Sequence, residues 1–211
     1  MPLFLLIWIA HGVQAYQVVD VPDWTRTERY DITAKPPDGV AVNRDVQFAM
    51  IRSLLEDRFG LRVRREQRQM PVYNLVRARG DGQPGPRLRN VAIDCMARIG
   101  SAATPSELVA AGCSSMSAPG RVMSRGYPLS MFIALLGPFV DRVIVDRTGL
   151  TGSWDAEVEF TPERPGPNLP SPADTATLLT AMQEQLGLKL EPATGPADVL
   201  VIEQVTRPTE N

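Results

Sequence analysis

The stretch MIRSLLEDRFGLRVRRE at residues 50–66 has a counterpart in LLTAMQEQLGLKLEPA at residues 178–193. Each is an amphipathic run followed by a bulky apolar residue, a glycine, a leucine, a basic residue and another apolar residue. The apolar residues of each run recur at helical spacing, and Gly60 and Gly187 stand where a left-handed helix cap is needed. The residues after each glycine alternate between apolar and charged, which is typical of a strand with one buried face. Each stretch therefore predicts an amphipathic helix, its glycine cap and the start of a strand.

Further segments of the chain match each other in the same order, at an offset of about 125 residues. The matched segments are PLFLLIWIAHGVQAYQVVD (2–20) with PLSMFIALLGPFVDRVIVD (128–146), RYDITAK (29–35) with SWDAEVEF (153–160), and MPVYNLVRA (70–78) with ADVLVIEQ (197–204). A fixed offset over several matches indicates a duplicated supersecondary unit. Each copy is expected to hold a short apolar helix, two strands, the amphipathic helix, and a further strand that returns as a hairpin.

The predicted fold is α+β, with two related units that each pack an amphipathic helix on a small sheet. We expect the first unit at residues 1–80 and the second at 127–211. Between them lies an irregular Pro/Gly-rich insert, residues 81–126, which contains both cysteines. The predicted short strands cover residues 17–20, 30–34, 142–146 and 154–160.

Composition narrows the class of protein without naming an activity. With 211 residues and 44% hydrophobic content, the chain can bury a sizeable core. A formal net charge of -2 gives no global electrostatic reason to expect nucleic acid or an acidic membrane as a partner. No apolar run approaches the roughly 20 residues that a membrane-spanning helix needs, so the sequence predicts no transmembrane span.

The N-terminal apolar run, Leu3 to Ala10, has two interpretations. Its length suits a secretory signal, and Val13 and Ala15 could precede a cleavage point, but no Lys or Arg comes before the run, so the export signal is incomplete. The repeat favours the other interpretation, in which the run is the first helix of the first unit. Cleavage after Ala15 would leave that unit without its helix.

Four stretches together resemble the soil-associated family of uncharacterised bacterial proteins. They are VPDWTRTERYDITAK (21–35), LLEDRFGLRVRREQRQMPVYNLV (54–76), VIVDRTGLTGSWDAEVEFTPE (143–163) and QEQLGLKLEPATGPADVLVIEQVTRPTEN (183–211). The resemblance implies a periplasmic or secreted protein, a domain sometimes fused behind membrane metallopeptidases of the beta-lactam-sensor type, and no established catalytic residue. Members normally also carry a signal peptide and an extra strand before the first helix. Met1 falls at that helix here, so we expect either a start at an internal methionine or a copy that has lost both.

Cys95 and Cys113 are the two cysteines of the chain, and neither has a Cys or His close by in sequence. Zinc is therefore not expected. The exported setting implied by the resemblance favours a disulfide between them, because an even cysteine count in a loop-rich stretch of an oxidised protein usually means a bridge. Two reduced thiols in a cytosolic protein are the alternative.

The sequence contains no catalytic or cofactor motif. His11 is the single histidine, which leaves no multi-histidine metal site and no evident Ser-His-Asp or Cys-His pairing, so we expect it simply to end a helix. The glycine-rich DRTGLTGSWD at residues 146–155 is neither a Walker loop nor a dinucleotide-binding loop. Gly149 and Gly152 are expected to permit a tight turn. No cofactor and no metal ion are predicted.

Two groups of charged residues are candidate sites. The first group, the five carboxylates between residues 141 and 159, could supply the acid and base of a glycosidase. Within this group, Glu157 and Glu159 should share one solvated strand face. The second group, the arginines between residues 58 and 89, could contact phosphate groups. The overall charge and the scarcity of nearby aromatics do not favour nucleic acid, and the favoured interpretation is a solvated strand face with local pairing to Glu56, Asp57 and Glu66. The carboxylates are Asp141, Asp146, Asp155, Glu157 and Glu159; the arginines are Arg58, Arg62, Arg64, Arg65 and Arg68, with Arg77, Arg79, Arg87 and Arg89 beyond them.

The sequence leads to two functional hypotheses. The first is a non-enzymatic interaction module that binds a protein or peptide partner in an extracytoplasmic setting, because small sheets expose edge strands that can accept an added strand. The alternative is a carboxylate-dependent hydrolase of cell-wall or polysaccharide material.

Overall fold

The computed structural model describes residues 1–33, 35, 44–101, 104–162 and 176–208, and the predicted α+β class is confirmed. The α-helices are α1 (Leu3–His11), α2 (Trp24–Thr27), α3 (Arg44–Phe59), α4 (Cys95–Gly100), α5 (Pro105–Ala110), α6 (Leu129–Leu136) and α7 (Leu178–Ala181), which continues as a π-helical turn, Met182–Leu186. The strands are β1 (Val18–Val19), β2 (Arg62–Arg77), β3 (Leu88–Val91), β4 (Ser114–Ala118), β5 (Arg121–Tyr127), β6 (Val143–Asp146), β7 (Ser153–Glu159) and β8 (Leu188–Gln204).

The strands form two four-stranded sheets, with orders β1-β8-β2-β6 and β3-β7-β5-β4. In the first sheet, β1 runs parallel to β8, with Val18 opposite Leu200. β6 runs parallel to β2, with Ile144 opposite Tyr73. In the second sheet, β7 pairs with β3 and β5, and β5 with β4, all antiparallel. A strand from one predicted copy thus pairs with the long strand of the other copy.

By its contacts the chain divides into two compact units, residues 1–70 with 195–211, and residues 71–194. Each long strand, β2 and β8, contributes residues to both. The sequence predicts that residues 195–211 belong to the second copy and that residues 81–126 form a separate insert. The contacts instead group residues 195–211 with the first 70, because β1 takes its ladder partners from the end of β8. The duplication itself stays a prediction.

The predicted hairpin returns are wrong, since β2 and β8 each continue as one strand. EQRQ at residues 66–69 contains no residue typical of tight turns, and side-chain exposure keeps alternating through it. β8 holds Pro192 and Pro196, which a strand tolerates where the nitrogen needs no ladder partner.

The predicted strand at residues 30–34 is also wrong over residues 30–33, which belong to no strand. The residue before them, Arg29, forms an isolated β-bridge with Pro2. Ala34 lies outside the described residues.

The glycine caps and the two apolar helices are confirmed. Gly60 and Gly187 follow their helices with φ of 55° and 65°, in the left-handed region that favours glycine. In the first unit, α1 and α3 bury Leu3, Ile7 and Leu55 against the apolar face of the sheet. No helix in the described ranges is long and apolar enough to cross a membrane.

The core of the second unit lies under α6 and the helix that precedes β8. Phe132 of α6 and Met182 are fully buried against the inner face of β5 and β7, together with Val122 and Val158. The opposite face of these two strands carries the polar residues. Period-two alternation therefore decides which side chains of this sheet reach solvent.

Candidate functional site

The outer face of the second sheet is a grid of opposite charges. On β7, Asp155, Glu157 and Glu159 alternate with buried Trp154, Ala156 and Val158, as the sequence predicts for Glu157 and Glu159. The ladder sets Arg121 of β5 opposite Glu159 and Arg89 of β3 opposite Asp155. Strand register thus brings residues far apart in sequence onto one surface.

Arginines pair with two of these carboxylates. Arg87 contacts Glu159 at 2.9 Å, and Arg121 contacts Glu157 at 2.5 Å. Arg125 is at the longer distance of 3.7 Å from Glu157. Such exposed pairs contribute little to stability. Glu157 and Glu159 are therefore surrounded by charged side chains, whereas a carboxyl group that acts as a general acid commonly lies in an apolar environment.

The other two predicted carboxylates do not belong to this grid. Asp141 pairs with its neighbour Arg142 at 2.9 Å, and the hydrogen bond from that guanidinium lowers the pKa of Asp141. Asp146 accepts hydrogen bonds from the backbone N–H and the hydroxyl of Thr148, both at 2.8 Å. These contacts give Asp141 and Asp146 local structural roles. The hydrolase hypothesis stays a prediction. Three of its carboxylates, Asp155, Glu157 and Glu159, lie on the outer face of the second sheet.

A concavity of about 390 Å³ opens on the charged face. Its lining is Pro86, Arg87, Arg89, Arg125, Asp155, Ala156 and Glu157. Asp155 Oδ1 accepts a hydrogen bond from the backbone N–H of Gly126 at 2.9 Å. Although Arg89 stands opposite Asp155 on the ladder, it makes no ion pair within the described ranges. The concavity therefore contains a guanidinium with free donors.

Strand β4, with the sequence SSMSA, is an outer strand of the same sheet. It pairs with β5 along its whole length, with Met116 opposite Met123, Ser114 opposite Arg125 and Ala118 opposite Arg121. It contains no charged residue and no proline, the usual devices that protect a sheet edge from further pairing. The opposite edge strand, β3, carries Arg89. β4 is thus an edge without these protections.

Cys95 and Cys113 form a disulfide, as predicted, with their Cα atoms 5.8 Å apart. Both cysteines are buried, in a small cluster with Tyr127. The bridge joins the start of α4 to the residue just before β4. Asp94 accepts a hydrogen bond from the N–H of Ala97 and caps α4. The bridge therefore fixes the segment that leads into the edge strand.

Three large apolar side chains between the cysteines are exposed: Met96 by 48%, Ile99 by 46% and Val109 by 70%. Met96 and Ile99 are three residues apart on α4, so they lie on the same side of the helix. α5 begins with a capping box between Thr104 and Glu107, whose pKa is lowered by the hydrogen bond from the Thr104 backbone. The helices α4 and α5 therefore present apolar side chains to solvent.

The predicted arginine patch belongs to the first unit, and acidic residues meet much of its charge. Arg64 pairs with Glu66 and, at 3.1 Å, with Glu203. Arg68 pairs with Glu66 and, at 2.7 Å, with Asp20. Hydrogen bonds from these arginines lower the pKa values of Asp20 and Glu66. The predicted partner Glu66 is confirmed.

The remaining arginines of the patch have varied surroundings. Arg65 donates a hydrogen bond to the carbonyl oxygen of His11 at 2.9 Å. Arg58 lies in the last turn of α3, and Arg62 is the first residue of β2. The five arginines therefore do not present one uncompensated positive surface.

His11 ends α1, as expected, with Gly12 as the left-handed cap. Burial, together with the positive charges of Arg52 and Arg65, lowers its pKa. Among the described residues no group of three His, Cys, Asp or Glu side chains is arranged to hold a metal ion.

Sequence reasoning missed the concavity and its partly free arginines. The alternation of Arg87 and Arg89, and that of Asp155, Glu157 and Glu159, shows which residues share a strand face. The sequence does not show which strands are neighbours, and pairing of β3 with β7 decides the site.

Comparison with protein families finds one match that spans most of the chain. The matching family is described as "Protein of unknown function (DUF3738)", and the match covers residues 5–205. Comparison with curated proteins and with solved structures finds no match.

Proposed function

The chain belongs to the DUF3738 family, and we propose that it is a non-enzymatic interaction module that binds a protein or peptide partner outside the cytoplasm. The proposed binding element is the outer edge of β4, which pairs with no further strand in the part of the chain that the structure describes and accepts an extended segment of the partner as an added strand. The observation that carries the proposal is the composition of this edge. It has five uncharged residues that pair on one side with β5.

An added strand gains main-chain hydrogen bonds from an edge, and side-chain contacts give it specificity. On the outer face, Met116 stands between the small residues Ser114 and Ala118. A partner strand can therefore set an apolar side chain against Met116 without obstruction from its neighbours. On the other face, the Ser117 hydroxyl is already bonded to the carbonyl oxygen of Leu135 at 2.9 Å, so that side of β4 is held in place.

Exposed Met96, Ile99 and Val109 support an interaction role for the segment that leads into β4. Methionine is adaptable at binding surfaces because its side chain is flexible and polarisable. The disulfide reduces the conformational freedom of this segment, and binding by a pre-ordered surface costs less entropy than binding by a loop that must become ordered.

The disulfide also supports the proposed compartment. Structural disulfides form and persist where the environment is oxidising, in the periplasm or outside the cell. The two sulfurs are buried, which suits a permanent bridge better than a catalytic one.

The test is selection of binding peptides from a library of random decapeptides, followed by measurement of affinity for two variants. Met116→Lys places a charge in the middle of the edge strand and should weaken binding by about tenfold or more. Met123→Lys is the matched control, since Met123 faces the same side of the sheet from the inner strand β5, and it should leave binding largely unchanged. If both variants bind the selected peptides as tightly as the wild type, β4 is not the binding edge.

A further inference from the structure

The concavity beside Arg89 has the composition of an anion site. Three arginines and two carboxylates line it, so one positive charge is unmatched. We infer that this concavity binds a carboxylate group of the peptide partner, held by Arg89 and Arg125. The inference rests on the proposed function for the kind of ligand, and it adds a second contact point on the same face of the sheet.

Arg89 and Arg125 have donors to spare for different reasons. Asp155, which faces Arg89 across the ladder, is hydrogen-bonded to the N–H of Gly126. Glu157, which is 3.7 Å from Arg125, is more closely held by Arg121. A guanidinium presents several N–H donors in a planar fork that matches the two oxygens of a carboxylate. The two side chains can therefore take up an incoming carboxylate while the existing pairs remain.

The charge balance favours a carboxylate over a phosphate. Asp155 and Glu157 lie in the wall of the concavity, and they repel a doubly charged anion more strongly than a singly charged one. A single negative charge also matches the single unmatched positive charge. Arg87 completes the lining but is held by Glu159 at 2.9 Å.

The carboxylate of a peptide has two sources, an acidic side chain and the C-terminus. Both present the same two oxygens, so the site chemistry is shared, and the experiment separates them. Arg125 stands directly opposite Ser114 of β4. A peptide added to that edge can therefore reach Arg125 across a small side chain.

The experiment is an NMR titration of the arginine Nε–Hε signals with small probes. N-acetylglutamate α-amide offers a side-chain carboxylate, N-acetylalanine offers a C-terminal one, and inorganic phosphate is the competing anion. We expect saturable shifts of the Arg89 and Arg125 signals with at least one of the two carboxylates. Arg89→Gln should weaken that binding by about fivefold or more. Arg147→Gln is the matched control, because Arg147 is exposed and makes no ion pair within the described ranges, and it should leave binding unchanged.

Three results would overturn the inference: no saturable shift, equal shifts at Arg89 and Arg147, or tighter binding of phosphate than of either carboxylate. These probes are too small to add a strand, so the outcome is independent of β4. Saturable binding of a carboxylate in a protein whose β4 edge accepts no peptide would support this site and refute the proposed function. Peptide binding at β4 without carboxylate binding would support the proposed function and refute this site.

Discussion

Asp155 bonds to the backbone N–H of Gly126, at 2.9 Å, rather than to Arg89, its opposite neighbour on the ladder. The pairing of β5 with β7 is irregular between Ser124 and Tyr127, so the N–H of Gly126 lies at a bulge. A backbone donor left without a partner there would cost free energy. The carboxylate of Asp155 thus accepts the hydrogen bond of the Gly126 N–H at the bulge. The N–H donors of Arg89 remain available to a ligand.

Asp155→Ala should destabilise the protein by about 1 kcal/mol, because it removes the acceptor for the Gly126 N–H. Asp155→Asn keeps an oxygen acceptor and should cost less. Urea unfolding of the two variants measures the difference. Equal losses of stability would show that the hydrogen bond to Gly126 does not matter.

Gly187→Ala should be clearly more destabilising than Gly149→Ala. Both glycines have positive φ, 65° and 67°, so both substitutions cost about 1 kcal/mol of backbone strain. A Cβ on Gly187 would also lie 2.7 Å from the backbone nitrogen of Gly85, whereas one on Gly149 would meet nothing within 4 Å. The added cost of displaced backbone is about 1–3 kcal/mol. Thermal or urea unfolding checks this order, and similar stability of the two variants would refute the close packing.

Replacing both Cys95 and Cys113 with alanine should lower the free energy of unfolding by about 3 kcal/mol. The bridge closes a loop with a sequence separation of 18, and the unfolded chain gains freedom when the loop opens. The native protein should show no free thiol with a thiol-reactive dye until it is denatured and reduced, since both sulfurs are buried. Thiol labelling of the native protein without reductant would contradict the bridge.

The stability of the protein should fall as the pH drops below the ordinary histidine pKa of 6.5, because of His11. Its pKa is lowered in the folded state, so the unfolded chain takes up the proton at a higher pH. The favourable contribution is complete above 6.5 and is lost between 6.5 and the folded pKa. His11 is the only histidine, so one NMR titration measures its pKa. His11→Gln should remove this part of the pH dependence, and a titration midpoint at or above 6.5 would contradict the prediction.

Local features of the fold were predictable from the sequence because their causes are local. The helix that ends at Phe59, just before Gly60, follows from apolar spacing and from the backbone freedom of glycine. The strand β7 follows from the alternation that begins at Trp154 and from the turn glycines before it. The pairing of Cys95 with Cys113 required, in addition, the compartment implied by the family resemblance.

Long-range features were not predictable in this way. The alternation after Gly60 and the apolar residues of the segment at 70–78 predict two strands and a turn, but the polar residues between them continue a single strand. Strand order cannot be derived from alternation alone, so neither the pairing of Val18 with Leu200 nor the meeting of Arg89 with Asp155 was foreseen. The edge position of β4 likewise depends on strand order, although its uncharged sequence is visible without the structure.

Amide hydrogen exchange with a selected peptide at saturation tests strand addition at β4 most directly. A bound strand forms new hydrogen bonds with alternate amides of the edge, so exchange should slow at alternate positions within residues 114–118. Strand β6, at an edge of the other sheet, is the internal control and should exchange at an unchanged rate. Unchanged exchange throughout residues 114–118 at saturating peptide would contradict strand addition at β4.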